Sequence, residues 1–181
     1  MALTIVATAG AAEANSFVSA AEMTAYCEAR LNASMWTAAA AQLPALVEAT
    51  RDISLLRFAG ERAAGTQALA WPRSAAPDPD APAIDGAGGE RPGEFDAGEI
   101  PQRVKDATCE LALQYVKAGT ADVAALDGSI GVVRKKVDVL ETEYARPHER
   151  ARGLARFPRV MAYLAPLLHV GASGGLQVVR T

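Results

Sequence analysis

Apolar positions along this chain recur mostly at three- and four-residue steps, the period of helices that bury one face. The clearest run is IPQRVKDATCELALQYV, Ile100 to Val116. Val104, Ala107, Thr108, Leu111, Ala112 and Tyr115 fall on one stripe there, while Gln102, Arg103, Asp106 and Glu110 fall largely off it. Pro101 suits the first helical position, where a missing N–H leaves no intrahelical bond unmade. Gly119 suits a left-handed close. This stretch is the expected central core helix.

Three further helices follow from the same period. Ser19 with Glu22 three residues on is a capping-box pattern, and Met23, Tyr26, Cys27, Arg30 and Leu31 continue it to Leu31. Pro44 marks the first turn of a second helix, whose face is Leu46, Val47, Thr50 and Ile53, running to about Phe58. Phe157, Met161, Leu164, Leu167 and Leu168 define a last helix with Pro158 near its start. The pattern changes to alternation over Val132 to Tyr144 and switches phase at Asp138 and Val139, which predicts a bulged strand or a tight hairpin. Ala2 to Val6 reads as an edge strand, and ALAWPR, Ala68 to Arg73, as a short apolar segment stopped by Pro72. The expected fold is mainly α: one domain over residues 1–181, a compact bundle of about four helices with a small β-hairpin or bulged strand. Extended N- and C-terminal arms complete it, the latter over residues 171–181.

Composition refines this picture. A chain of 181 residues buries roughly two thirds of its unfolded surface as a single domain. Half the residues are hydrophobic but only 6% are aromatic, which favours close-packed helices over a thick sandwich. The net charge of −3 gives no global pull towards nucleic acid or anionic membrane. Its distribution is uneven: Asp78 to Glu99 holds seven acidic residues and one arginine, and Arg146 to Arg159 holds five arginines and one glutamate. The Pro-, Gly- and Asp-rich stretch 74–98 has too little apolar content to order itself strongly, so a mobile acidic loop is expected. Cys27 and Cys109 lie inside expected helices and read as reduced core thiols of a cytoplasm. No charged start and apolar run marks a signal peptide, and no 18-residue apolar segment marks a membrane span.

Catalytic constellations are not evident. His148 lies among arginines and His169 ends a helix, with no cysteine or carboxylate at metal-ligand spacing. GAGGERPG, Gly86 to Gly93, lacks the preceding strand and following Lys-Ser/Thr of a phosphate loop. Glu141 and Glu143 share a strand face, where solvent exposure is the commoner reason for such a pair than acid–base work. No enzyme activity, metal or cofactor is therefore expected. Arg134, Lys135 and Lys136 form a basic triplet that either is a solvated face or meets phosphates or an acidic partner. Trp36 and Trp71 belong with Val104, Leu111, Tyr115 and Leu164 as structural core. No groove combining aromatic and basic residues is visible in the linear sequence, which weighs against binding single strands.

ANSFVS (Ala14 to Ser19), ALAWPR, IPQRVKDATCELAL, VRKKVDVLETEY (Val133 to Tyr144), FPRVMAYLAPLL (Phe157 to Leu168) and a Gly-Gly tail ending in VVR occur in this order. Together they resemble the head–tail adaptor (connector) proteins of long-tailed bacteriophages, a family whose members often carry a DnaT-like single-stranded-DNA-binding name. The resemblance implies a structural virion protein assembled in the host cytoplasm and located at the neck. Its expected partners are the portal protein, a tail or stopper (head-completion) protein, and itself in a ring of twelve. Genomic DNA would pass through the channel without sequence-specific contact, and no membrane is involved. On that reading Leu176, Gln177, Val178, Val179 and Arg180 form a portal-binding arm, and Arg134, Lys135 and Lys136 face the channel or an acidic neighbour. The alternative is a DnaT-like single-stranded-DNA-binding replication protein.

Overall fold

The capping box at Ser19 closes as its sequence predicts. The Glu22 N–H donates to Ser19 Oγ at 3.2 Å, and the Ser19 N–H donates to the Glu22 carboxylate at 2.8 Å. A computed structural model describes residues 3–31, 33–37, 40–82, 84–86, 89–91, 93–119, 134–137, 140–143 and 153–169. Within them lie helices α1 (Ala20–Glu28), α2 (Leu43–Ser54), α3 (Gln102–Ala118) and α4 (Pro158–Leu164). Helix α3 is the hub, packed chiefly against α2 and α4 and more lightly against α1. Its predicted stripe is buried throughout, and Gly119 closes it at φ 69°. Trp36, Trp71, Val104, Leu111, Tyr115 and Leu164 all belong to one continuous core. The architecture is the expected one, mainly helical with small antiparallel hairpins.

Both early helices are shorter than their periodicity. Helix α1 stops at Glu28, where the Arg30 N–H turns back to the Cys27 carbonyl at 2.9 Å. Leu31, expected on its apolar face, is fully exposed. Helix α2 stops at Ser54 because the chain must release Phe58, which forms a β-bridge with Leu168 and stands edge-on to Trp71 at 5.6 Å. Glu110 is the largest departure on α3. Expected off the stripe, it is 5% exposed, since α1 and α4 cover a second side of this helix.

ALAWPR organises the loop between α2 and α3. Strands β1 (Glu61–Arg62) and β2 (Arg73–Ser74) pair antiparallel. The Arg73 guanidinium donates to the carbonyls of Phe58, Ala59, Gly60 and Ala70, binding four backbone acceptors that a hydrophobic neighbour would leave unpaired. Its partial burial lowers its pKa. Gly60 sits at φ 72°, and a Cβ there would come within 2.4 Å of the Ser74 carbonyl, so only glycine fits this crossing. The Trp71–Pro72 bond is cis, and Trp71 also stands edge-on to Phe95 at 5.7 Å. Residues 74–98 carry a short hairpin of β3 (Ile84–Gly86) and β4 (Gly89–Arg91). Its base is tied by Asp78 N–H to Gly93 O at 2.7 Å and Phe95 N–H to Ala76 O at 3.0 Å.

The N-terminal edge strand does not form over the described residues of that segment. Its backbone is satisfied by a side chain instead: the Val6 N–H donates to Asn15 Oδ1 and Asn15 Nδ2 donates to Thr4 O, each at 2.8 Å. The N-terminal arm is thus tied to Asn15. At Asp138 and Val139 the hairpin alternative holds. Strands β5 (Arg134–Val137) and β6 (Leu140–Glu143) pair antiparallel with Val137 opposite Leu140, while Asp138 and Val139 themselves lie outside the described residues.

Candidate nucleic-acid interface

Glu110, Leu113, Gln114 and Lys117 are spaced at three, four and seven residues, so they share one side of the C-terminal half of α3. That side is the floor of two depressions. The first, about 320 Å³, is walled by Arg30, Leu31 and Met35 from the end of α1 and the following 3-10 turn Ala33–Met35, and by Arg159 from α4. The second, about 300 Å³, shares Gln114 and Lys117 with the first and continues to Arg156 and Phe157. The two adjoin along this floor as one groove, whose lining among the described residues holds four cations, Arg30, Lys117, Arg156 and Arg159, and one carboxylate, Glu110. A third depression of about 290 Å³ lies beside Tyr115 and Val116 and carries no cation.

The groove floor is built around Glu110. The Tyr26 hydroxyl donates to its Oε1 at 2.7 Å, Arg30 pairs with the same oxygen and also donates to the Tyr26 hydroxyl, and Arg159 stands 3.6 Å away. The Arg30 guanidinium lies 4.7 Å from the centre of the Tyr26 ring. Burial, then a hydrogen bond with Tyr163, pushes the Tyr26 phenol up, so it remains a donor. A buried carboxylate without such partners is costly, and this one has a phenol and a guanidinium in place. Phe157 is half-buried, its ring edge-on to Tyr115 at 6.4 Å. Tyr115 in turn donates to Asp52, which along with burial keeps its phenol protonated. Cations beside a partly open aromatic ring are the chemistry that binds the backbone and bases of an unpaired strand. The carbonyl end of α3 itself repels anions, so attraction must come from the side chains.

At the other end of α3 the charges are closed. Arg103 forms a two-pronged pair with Asp80 at 2.7–2.9 Å, and Lys105 reaches Glu22 at 2.7 Å. Burial works against the Glu22 charge, but the hydrogen bonds from Lys105 and Ser19 outweigh it and hold its pKa at about 2. The thiols of Cys27 and Cys109 are both buried, and burial pushes both up, away from reactivity.

Leu176, Gln177, Val178, Val179, Arg180 and His148 lie outside the described residues. Arg134, Lys135 and Lys136 lie in β5, at register positions opposite Glu143, Thr142 and Glu141 of β6. His169 is exposed, its N–H bonded to Arg57 O at 3.0 Å. Among the described residues no group of three His, Cys, Asp or Glu side chains is placed to hold a metal, and no helix is long and apolar enough to cross a membrane. Sequence reasoning missed Arg30, Glu110 and Lys117 as one group. The available signal was the polar residues Glu110, Gln114 and Lys117 recurring on the side of α3 next to its core stripe.

A family model described as "Putative DnaT-like ssDNA binding protein" matches residues 1–181. Neither the curated proteins nor the solved structures contain a match to the chain. The family match overturns the expected resemblance to head–tail adaptors. With it go the portal, the tail or stopper protein, the ring of twelve and the passive DNA channel as partners, because the family description is of single-strand binding and of no virion role. The groove also removes the physical objection to single-strand binding, since basic and aromatic groups do converge, from three separate segments.

Proposed function

The chain belongs to the DnaT-like single-stranded-DNA-binding family, and from that premise we propose that it binds single-stranded DNA in the groove at the C-terminal end of α3. The observation that carries the proposal is the convergence of Arg30, Lys117, Arg156 and Arg159 with Phe157 along one helix face. Phosphates are taken by the guanidinium and ammonium groups, and Phe157 offers a ring to an unstacked base. A duplex hides its base faces, so this contact favours the single strand. The strand is held without any chemical change to it. An overall charge of −3 does not oppose this, because short-range contact is set by the local cations and distant charges are screened within about 10 Å at 0.1 M salt.

The test is a fluorescence-anisotropy titration of a labelled oligothymidylate at several salt concentrations, with duplex of the same length alongside. Two to four neutralised phosphates give a log–log salt slope of about −1.4 to −2.8 for a single strand. Binding of that slope with weaker duplex binding supports the proposal. Absence of binding at low salt overturns it.

A further inference from the structure

Arg30 and Arg159 share the Glu110 carboxylate but are held by it very differently. Arg30 is 24% exposed in its side chain and is fixed by both Glu110 and the Tyr26 hydroxyl. Arg159 is 65% exposed and touches the same carboxylate at 3.6 Å, beyond hydrogen-bonding distance. An exposed pair of that geometry contributes little and is easily exchanged for another anion, whereas the enclosed pair is not. Both arginines line the same depression, and Glu110 is its one carboxylate among the described residues.

We infer that Glu110 is a built-in competitor for the phosphate of the bound strand: it holds Arg159 in the free protein and yields it to a phosphate on binding. The inference rests on the single-strand reading and adds a residue that sets its strength. Arg30 stays on Glu110 in both states and serves as a fixed wall. Arg159 changes partner, from carboxylate to phosphate, with no covalent step and no net proton transfer. Glu110 thus limits affinity, so that the strand is released more readily than the same groove without this carboxylate would allow. Glutamine at this position keeps an acceptor for Tyr26 and Arg30 but loses the charge, which makes it the informative change.

Oligothymidylate titrations of the full chain across salt concentrations separate the possibilities. Glu110→Gln is expected to bind about three- to tenfold more tightly, the scale of removing one like charge at short range. Arg159→Gln changes an exposed side chain and is expected to weaken binding and to reduce the salt slope by about 0.7, one phosphate contact. In the double variant the gain from Glu110→Gln should vanish, a coupling that a purely structural Glu110 would not produce. If Glu110→Gln fails to give a cooperative thermal melt, Arg159→Gln alone decides: an unchanged salt slope overturns the inference. So does a folded Glu110→Gln protein that binds no more tightly than the unaltered chain. Each of these failures leaves the unaltered protein binding and the proposed function intact. Loss of binding by the unaltered protein is the different result that removes both.

Discussion

The two ends of α3 gather cations and use them in opposite ways. At the N-terminal end Arg103 and Lys105 each meet a carboxylate of their own, Asp80 and Glu22. At the C-terminal end Arg30, Lys117, Arg156 and Arg159 line a groove in which Glu110 is the one carboxylate among the described residues. The first arrangement ties the acidic segment and α1 to the helix. The second gathers cations along one face, with the Arg159 side chain 65% exposed. A count of charges over the chain sees neither, because it adds the closed pairs to the open groove. Where a charge is placed along 17 helical residues, about 25 Å of axis, decides whether it staples the fold or faces a ligand.

The contrast holds only if both ends hang on the same spine, and the largest effect is expected from breaking that spine. Leu111 is fully buried at the middle of α3. Leu111→Ala should cost about 2–5 kcal/mol through lost burial and the cavity left behind. Urea unfolding would show this as a lower midpoint, and binding should fall with the folded fraction. A cost under about 1 kcal/mol would mean that α3 is not the hub, since surface changes fall in that range.

A smaller effect isolates the closed end. Glu22 has its pKa held at about 2 against 4.5 for an unperturbed carboxyl. A carboxyl lowered on folding contributes stability at pH values above its unfolded pKa. That contribution is lost as pH falls from about 4.5 towards 2. Because the side chain is 45% exposed, solvent screening reduces the contribution to about 1 kcal/mol or less. Thermal melts of the unaltered chain and of Lys105→Ala should therefore differ at pH 6 and converge near pH 2. A difference that persists at pH 2 would assign the role of Lys105 to packing of its stem and not to charge.

The fold was legible in the sequence wherever one signal acted locally. Ser19 with Glu22, the stripe from Val104 to Tyr115, Gly119 and the phase switch at Asp138 each specify a cap, a face, a stop or a turn through neighbours a few residues away. The end of α2 was not legible, because the pull on Phe58 comes from its bridge to Leu168, far along the chain, and from Trp71. The edge strand expected over Ala2 to Val6 does not form among its described residues, where Asn15 supplies hydrogen bonds that a neighbouring strand would have made. The groove was hidden more deeply. Arg30, Lys117 and Arg159 are 42 residues or more apart in sequence, and each alone reads as a solvated cation. Glu110 looked polar and outward, and only the approach of Tyr26 and Arg30 explains its burial. The resemblance drawn from blocks of sequence led to an assembly role that the family match does not support.

The most direct measurement compares two doubly neutralised proteins in oligothymidylate titrations at low salt. Lys117→Gln with Arg159→Gln removes two charges from the C-terminal end of α3, and Arg103→Gln with Lys105→Gln removes two from the N-terminal end. Both take the net charge from −3 to −5, so long-range attraction changes equally. Binding at the groove predicts that the first pair weakens affinity at least about tenfold and lowers the salt slope by about 1.4. It predicts that the second pair leaves the slope unchanged. Equal losses from both, or a larger loss from the N-terminal pair, would contradict the assignment of the strand to this groove.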